Sequence, residues 1–556
     1  MSEPTTPPAT NIVRHFRQIL LWPLQLMPIR EGTQIQKHWE RLETPGSDNP
    51  WREVLDEFTG DPALFQERHY SEFVTFLPYV QRFLYGEGTG HDPGIVQTSS
   101  FRVFRRTDLA KVRITYPEPL AAPVTFEVAH ADLYFFYDID VVILTIEMYA
   151  DDVPLARAQD TLFRFGRGYP TYWEPEGRGG HCPKYVEWLS TDGTVLAVSD
   201  YENREKYLSF VCRHRAQCFA SHWEWLLEPL VLHHSEKKGL IRYRQIESHL
   251  LPQMAYVVVD DPGALTRAEF VRLGLAASPG TPDSLPYSER HLSDFEERYC
   301  YDRYWNGQDR DRPGTRFMCN GRTFTMVSDR SPRVFVDRKT DLEQFRHEYF
   351  LLFLIPHFHR AALLMLEDRL VDAMNRLDIS KPESVRQFRR VIRQTLGVFL
   401  RFTQRYWFHE VSDHAQAKEL FRMISEHLGT ARLYTEVRTA IEDMNQFLDS
   451  EALRRQGETM VRLTVVTTFG LIGVTTMSFL GMNLLAAAES SMLTKIVYFL
   501  LVLIPSTAIT LYTVLKSRRL ADWLEILADE RQTSRGKLAA FVNVWKTERG
   551  QDTRPL

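Results

Sequence analysis

Two uncharged apolar runs near the C-terminus stand out from an otherwise mixed pattern of polar and hydrophobic positions. No charged residue occurs in 463–480, and none in 496–515. Each run approaches the roughly 20 residues that a helix needs to cross a bilayer at about 1.5 Å per residue. The connection between them is too short to hold a domain, so the pattern predicts a transmembrane hairpin with spans at 463–483 and 496–515. Arg454, Arg455 and Arg462 precede the first span and Lys516, Arg518 and Arg519 follow the second, while the loop offers Lys495 against Glu489. This bias places both termini in the cytoplasm and the loop outside, as expected of a multi-pass protein of the inner (plasma) membrane. Tyr498 and Tyr512 stand near opposite ends of the second span, where interfacial rings are favoured.

Upstream the pattern changes. Residues 1–10 are Pro- and Thr-rich and read as a frayed tail, with neither the basic nor the apolar region of a signal peptide. Residues 11–340 read as a mixed α/β domain. The run 15–28 is apolar and aromatic, but two prolines interrupt it and it is too short to span. Residues 100–116, 124–129 and 133–149 are rich in β-branched and aromatic side chains and predict strands, the last divided by Asp138 and Asp140. Asp151-Asp152 reads as a turn, 156–165 as a returning strand, and 256–259 and 322–327 as later strands of an antiparallel sheet. Loops are expected at 277–286 and 306–314.

From 341 the chain turns helical, with Asp341 as an N-cap. The stretch FLLFLIPHFHRAALLML is apolar enough to suggest a span, but Pro356, His357, His359 and Arg360 would be costly in hydrocarbon. It predicts a buried, kinked or interrupted helix. Ser380-Lys381-Pro382-Glu383 has a capping-box pattern and opens a second helix to about Trp407. A third starts near Ser412 or Asp413, with Gly429 and Gly457 its only breakers. Val437, Ile441, Met444 and Leu448 give it an apolar stripe, and from Ala415 to Leu480 a continuous helix would be on the order of 100 Å long. Residues 341–460 therefore form a helical bundle and stalk. After the hairpin, 516–556 carry Leu520, Trp523, Leu524 and Leu527, then Leu538, Phe541, Val542 and Trp545, as amphipathic helices broken near Gly536.

Gly481-Met482-Asn483 closes the first span. A long polar helix, a span ending in Gly-Met-Asn, a short outer loop, a second span and basic residues together resemble the CorA family of magnesium and divalent-cation transporters. The likeness covers roughly 430–519 and does not extend to the N-terminal domain. It implies a homopentamer in lipid whose first spans line a pore for Mg2+ or another divalent cation, with a ring of Asn483 meeting the hydrated ion. Two features depart from the family: Leu480 stands where an aromatic usually precedes the glycine, and the loop lacks the usual acidic run, so it adds no field to gather cations.

On that reading Thr464, Thr467 or Thr468, Leu471, Thr475 and Ser478 recur at helical spacing and line the path. Magnesium sheds its waters reluctantly, so outer-sphere contacts with hydroxyls suit it. The same threonines can instead bond the preceding turn or pack helices. Met460 and Leu463, with Leu471, are candidate apolar gates. The family's cytosolic part senses the ion, which makes Glu442, Asp443 and Asp449 candidate regulatory metal ligands; solvated stalk charges are the plainer explanation.

Composition adds little. A formal charge of −5 and a pI near 6.4 give no case for nucleic acid. Mean hydropathy of −0.30 leaves most of the mass outside a membrane. Five scattered cysteines in a cytosolic segment do not predict disulfides. His181, Cys182, Cys212, His214 and Cys218 do not match the spacing of a standard zinc site, and His233-His234 reads as a helix-end pair. Residues 166–180 are Gly-rich but lack a phosphate loop's lysine, and read as a mobile loop. No catalytic motif is legible, so an enzyme is not expected. Two alternatives stay open: a pore gated by a small molecule bound to the large cytosolic domain, and a membrane-tethered enzyme.

Overall fold

A computed structural model describes residues 11–484 except 30–35, 44–48, 55–66, 89–95, 98–99, 118–121, 279, 281–284, 307–313 and 331–339. Beyond 484 it describes only 491–494 and scattered positions between 496 and 523, so much of the outer loop, most of the second span and nearly all of the tail lie outside the described residues. The chain divides into two compact units, Met1–Ile441 and Glu442–Leu556.

The first unit is built on β1 (Ile12–Leu26), the stretch that the two prolines had disguised. Its alternate residues serve opposite faces. Phe16, Leu20, Trp22 and Leu24 enter the main apolar core, where Trp22 meets the Trp223 ring at 5.7 Å. Arg17 and Gln25 point the other way, and Gln25 donates to Asp368. Burial on both faces explains the near-continuous apolar run. Pro23 is tolerated because β1 leaves one neighbour at Leu20 and joins another at Leu24, so no ladder donor is required between them on that edge.

The remaining strands are β2 (Trp51–Glu53), β3 (Glu87–Gly88), β4 (Val96–Gln97), β5 (Phe101–Arg106), β6 (Lys111–Thr115), β7 (Val124–Phe136), β8 (Val141–Pro154), β9 (Tyr185–Leu189), β10 (Val195–Val198), β11 (Leu230–Leu232), β12 (Ile241–Gln245), β13 (Gln253–Val259), β14 (Cys300–Tyr304), β15 (Thr315–Cys319) and β16 (Thr323–Asp329). The main sheet runs β10-β9-β6-β7-β8-β1-β13-β16-β15-β14, with β5 carrying β2 beside β7 and β12 carrying β11 beside β1. It is mixed rather than antiparallel, since β13 pairs β16 in parallel.

Helices α1 (Glu67–Thr75), α2 (Pro78–Tyr85), α3 (Leu155–Arg164), α4 (Arg204–His214), α5 (Ser221–Leu227), α6 (Arg267–Leu275) and α7 (Glu289–Tyr299) accompany the sheet. Then follow α8 (Asp341–Gln344), α9 (Phe350–Asn375), α10 (Pro382–Arg405), α11 (Ala415–Leu428) and α12 (Thr430–Leu484). Several expectations change here. The predicted strand at 156–165 is helix α3: Leu155, Ala158 and Leu162 recur at three and four, and all are buried. Asp152 is no loop turn but a left-handed residue inside β8, at φ 52°. The strand signal at 100–116 resolves into β5 and β6.

The continuous helical stretch Asp341–Asn375, which ends in α9, is long and apolar enough for a span, yet 89% of its most apolar window is buried. Helix α9 lies across the sheet face opposite α3, where Phe358 stacks on Phe136 at 3.8 Å. A π-helical turn, Phe345–Tyr349, precedes it. The N-cap of α8 is Thr340, in a capping box with Glu343; Asp341 lies one residue inside and accepts from the Ser328 hydroxyl. The Ser380–Glu383 box does not form: Lys381 caps α10 without a side-chain bond, and the Ser380 hydroxyl donates to Asp378. The stalk is also not one helix from 415, because Gly429 at φ 66° ends α11.

Candidate functional site

Helix α12 runs 55 residues from Thr430 to Leu484 without interruption, Gly457 included. Its base is set within the first unit. Gly429 donates to the Glu426 carbonyl, and Arg360, itself bonded to Glu247, donates to the Leu428 carbonyl at 2.6 Å. Tyr434 stacks on Trp407 at 4.6 Å and 18°, and on Phe399 at 5.5 Å. Val437 and Ile441 from the predicted stripe are buried, and so is Leu448, while Met444 is half-buried.

Farther along, the helix carries a self-contained charge group. Glu451 accepts from both Arg454 and Arg455, and these bonds hold its carboxyl below the usual range. Glu442, Asp443 and Asp449 are exposed, and Asn445 donates to Asp449 at 3.4 Å. Met460, Leu463 and Leu471 are each about two-thirds exposed, at 66, 66 and 65%. The hydroxyls of Thr464, Thr467 and Thr468 donate to the carbonyls of Met460, Leu463 and Thr464 at 2.9, 2.7 and 2.8 Å. Ser478 is exposed. Gly481, Met482 and Asn483 belong to the last turn of α12; their side chains, and that of Thr475, lie outside the described residues.

Other suggested sites dissolve. Cys182 and Cys218 are buried, Cys212 is exposed, and His214 stacks on His234 instead of joining them. Among the described residues no group of three or more His, Cys, Asp or Glu side chains is placed to hold a metal. His233-His234 ends strand β11, not a helix; the His233 amide donates to Tyr243. The Gly-rich stretch is a packed turn: Trp173 Nε1 donates to Tyr201, and a Cβ at Gly180 would collide with the Tyr172 ring.

Two features escaped the sequence. The first is a buried charge network beneath the π turn. Glu147 on β8 accepts from Arg17 on β1, from Arg346 at 2.7 Å and faces His130 of β7 at 2.6 Å. Asp132 accepts from Arg105 twice at 2.8 Å and lies 3.1 Å from His130. Burial alone would lower the His130 pKa, but its bonds to Asp132 and Glu147 outweigh that and hold it near 9. Glu147 is held well below the usual range despite its burial.

The second is a cavity of about 440 Å³ between α2 and the end of α10, lined by Tyr79, Arg82, Phe83, Arg405, Trp407 and Phe408 among others.

No protein-family model matches the chain, and no curated protein matches it.

Proposed function

We propose that this protein is a CorA-like oligomeric membrane channel that passes Mg2+ or another divalent cation, and that it is not an enzyme. The supporting observation is α12, a single helix that leaves a folded α/β unit and ends in an uncharged run closed by Gly481-Met482-Asn483. The exposed apolar side chains of 460–474 are the surface that lipid or neighbouring subunits would cover. The threonine geometry is compatible with pore lining. A hydroxyl that gives its proton to a backbone carbonyl offers lone pairs outward, and water bound to a cation donates hydrogen bonds outward. On this reading a pentamer in the inner membrane, with both termini cytoplasmic, presents a ring of Asn483 at the pore mouth. Thr464, Thr467, Leu471, Thr475 and Ser478 line the path. Met460 and Leu463 close it, and Glu442, Asp443 and Asp449 bind regulatory Mg2+ at subunit contacts. Mg2+ uptake into proteoliposomes, compared with Asn483→Ala, is the test.

A second reading, a pore opened by a small molecule on the first unit, gains support from the cavity beside the base of α12. Flux that appears only with a bound ligand would favour it.

A further inference from the structure

The cavity between α2 and α10 has the volume of a small-molecule site, about 440 Å³ against the roughly 300–1,000 Å³ usual for such pockets. Its walls divide by chemistry. Tyr79 and Phe408 form an apolar aromatic side, their rings 5.6 Å apart, with Phe83 packed on Phe408 at 5.3 Å. Arg82 and Arg405 supply cationic groups, and among the described lining residues none is Asp or Glu.

Neighbouring charges do not neutralise these arginines. Arg405 and Arg401 share one carboxylate, Asp138, at 3.6 and 3.8 Å. Arg82 has no carboxylate partner among the described residues. Arg82 and Arg405, both exposed, thus present two cationic groups to an anion entering the cavity, while Glu410, close to Tyr79, is paired with Lys418 at 2.7 Å.

We propose that this cavity binds a planar aromatic anion of the nucleoside-monophosphate class. The ring lies against Tyr79 and Phe408, and the phosphate meets Arg82 and Arg405. Occupancy is felt at the stalk, because Trp407 lines the cavity and its ring stacks on Tyr434 of α12. A ligand that shifts Trp407 therefore biases the first turns of α12 by whatever its affinity differs between two positions of that ring. The binding step is independent of the channel reading; its consequence for a pore rests on that reading.

The test is calorimetric titration of the full-length protein in detergent with AMP, with adenosine and inorganic phosphate as the separated halves. AMP is expected to bind at least about ten-fold more tightly than either half, and Arg82→Ala to weaken AMP about ten-fold or more while leaving the melting temperature unchanged. No AMP binding, or binding untouched by Arg82→Ala, overturns the site. Hydrogen exchange at amides 430–437 tests the coupling: AMP is expected to change it in the native protein and not in Trp407→Phe. AMP binding without any change there overturns the coupling alone. A protein that binds AMP but never conducts ions leaves the site standing and removes the channel.

Discussion

Replacing Glu147 by Ala removes the acceptor that joins β1, β7, β8 and the π turn. Arg17, 6% exposed, then loses its only charged partner in the network, and Arg346 and His130 each lose one. Breaking a buried ion pair on one side costs about 3–5 kcal/mol, mostly from the stranded charge. A cooperative unit of roughly 400 residues unfolds with an entropy near 0.8 kcal/mol/K, so each kcal/mol moves the melting temperature by about 1.2 °C. The expected loss is therefore about 4–6 °C, read by intrinsic-fluorescence melting of the detergent-solubilised protein. Replacing both partners, Arg17→Met with Glu147→Leu, should restore part of it, because the buried Arg17 charge is then gone, His130 keeps Asp132, and the charge left without its carboxylate is Arg346, whose side chain is 35% exposed. The network also predicts a pH dependence. His130 rises from 6.5 unfolded to about 9 folded, so its stabilisation is full below pH 6.5 and is lost as pH climbs through 9. The difference of 9 − 6.5 corresponds to on the order of 3 kcal/mol. Melting temperatures of the native protein should fall between pH 7 and 9.5 by more than those of Glu147→Ala. A variant within 1 °C of the native protein, with the same pH profile, would refute the assignment of these charges as mutually compensating.

Gly429 and Gly457 make a matched pair. Gly429→Ala forces a side chain into φ 66° and should cost about 1 kcal/mol, whereas Gly457→Ala, mid-helix with nothing near the added carbon, should stabilise by up to about 1 kcal/mol. Denaturation of each variant distinguishes a broken α11–α12 joint from a continuous stalk. Cysteine chemistry should single out Cys212. It is exposed, while burial pushes the Cys182, Cys218, Cys300 and Cys319 thiols up to about 12. Brief iodoacetamide treatment of the native protein at pH 7.5, followed by peptide mass spectrometry, should find the label there first.

How far the sequence was legible depended on whether a signal was local. The later strands at 256–259 and 322–327, the burial of the apolar helix after 341 and the end of α10 near 405 were all readable from composition and polar interruptions. β1 was not: its prolines argue against a strand until one knows that Pro23 falls where the partner strands change. Segment 156–165 was misread because Leu155, Ala158 and Leu162 are too few to show their period. Asp341 attracted the N-cap assignment by residue type, while the cap went to Thr340, whose partner Glu343 completes the box. The Glu147 network and the cavity join residues more than a hundred positions apart, such as Arg17 with Glu147 and Arg82 with Arg405. Nothing in a linear pattern brings those together.

The most direct test of the channel is Mg2+ flux into proteoliposomes, followed with an entrapped magnesium-sensitive dye and an internal chelator to relieve any closure by Mg2+. The account predicts uptake by the native protein and its loss or severe reduction in Asn483→Ala with the oligomer intact. A well-formed oligomer that passes no divalent cation, with AMP present or absent, would contradict it.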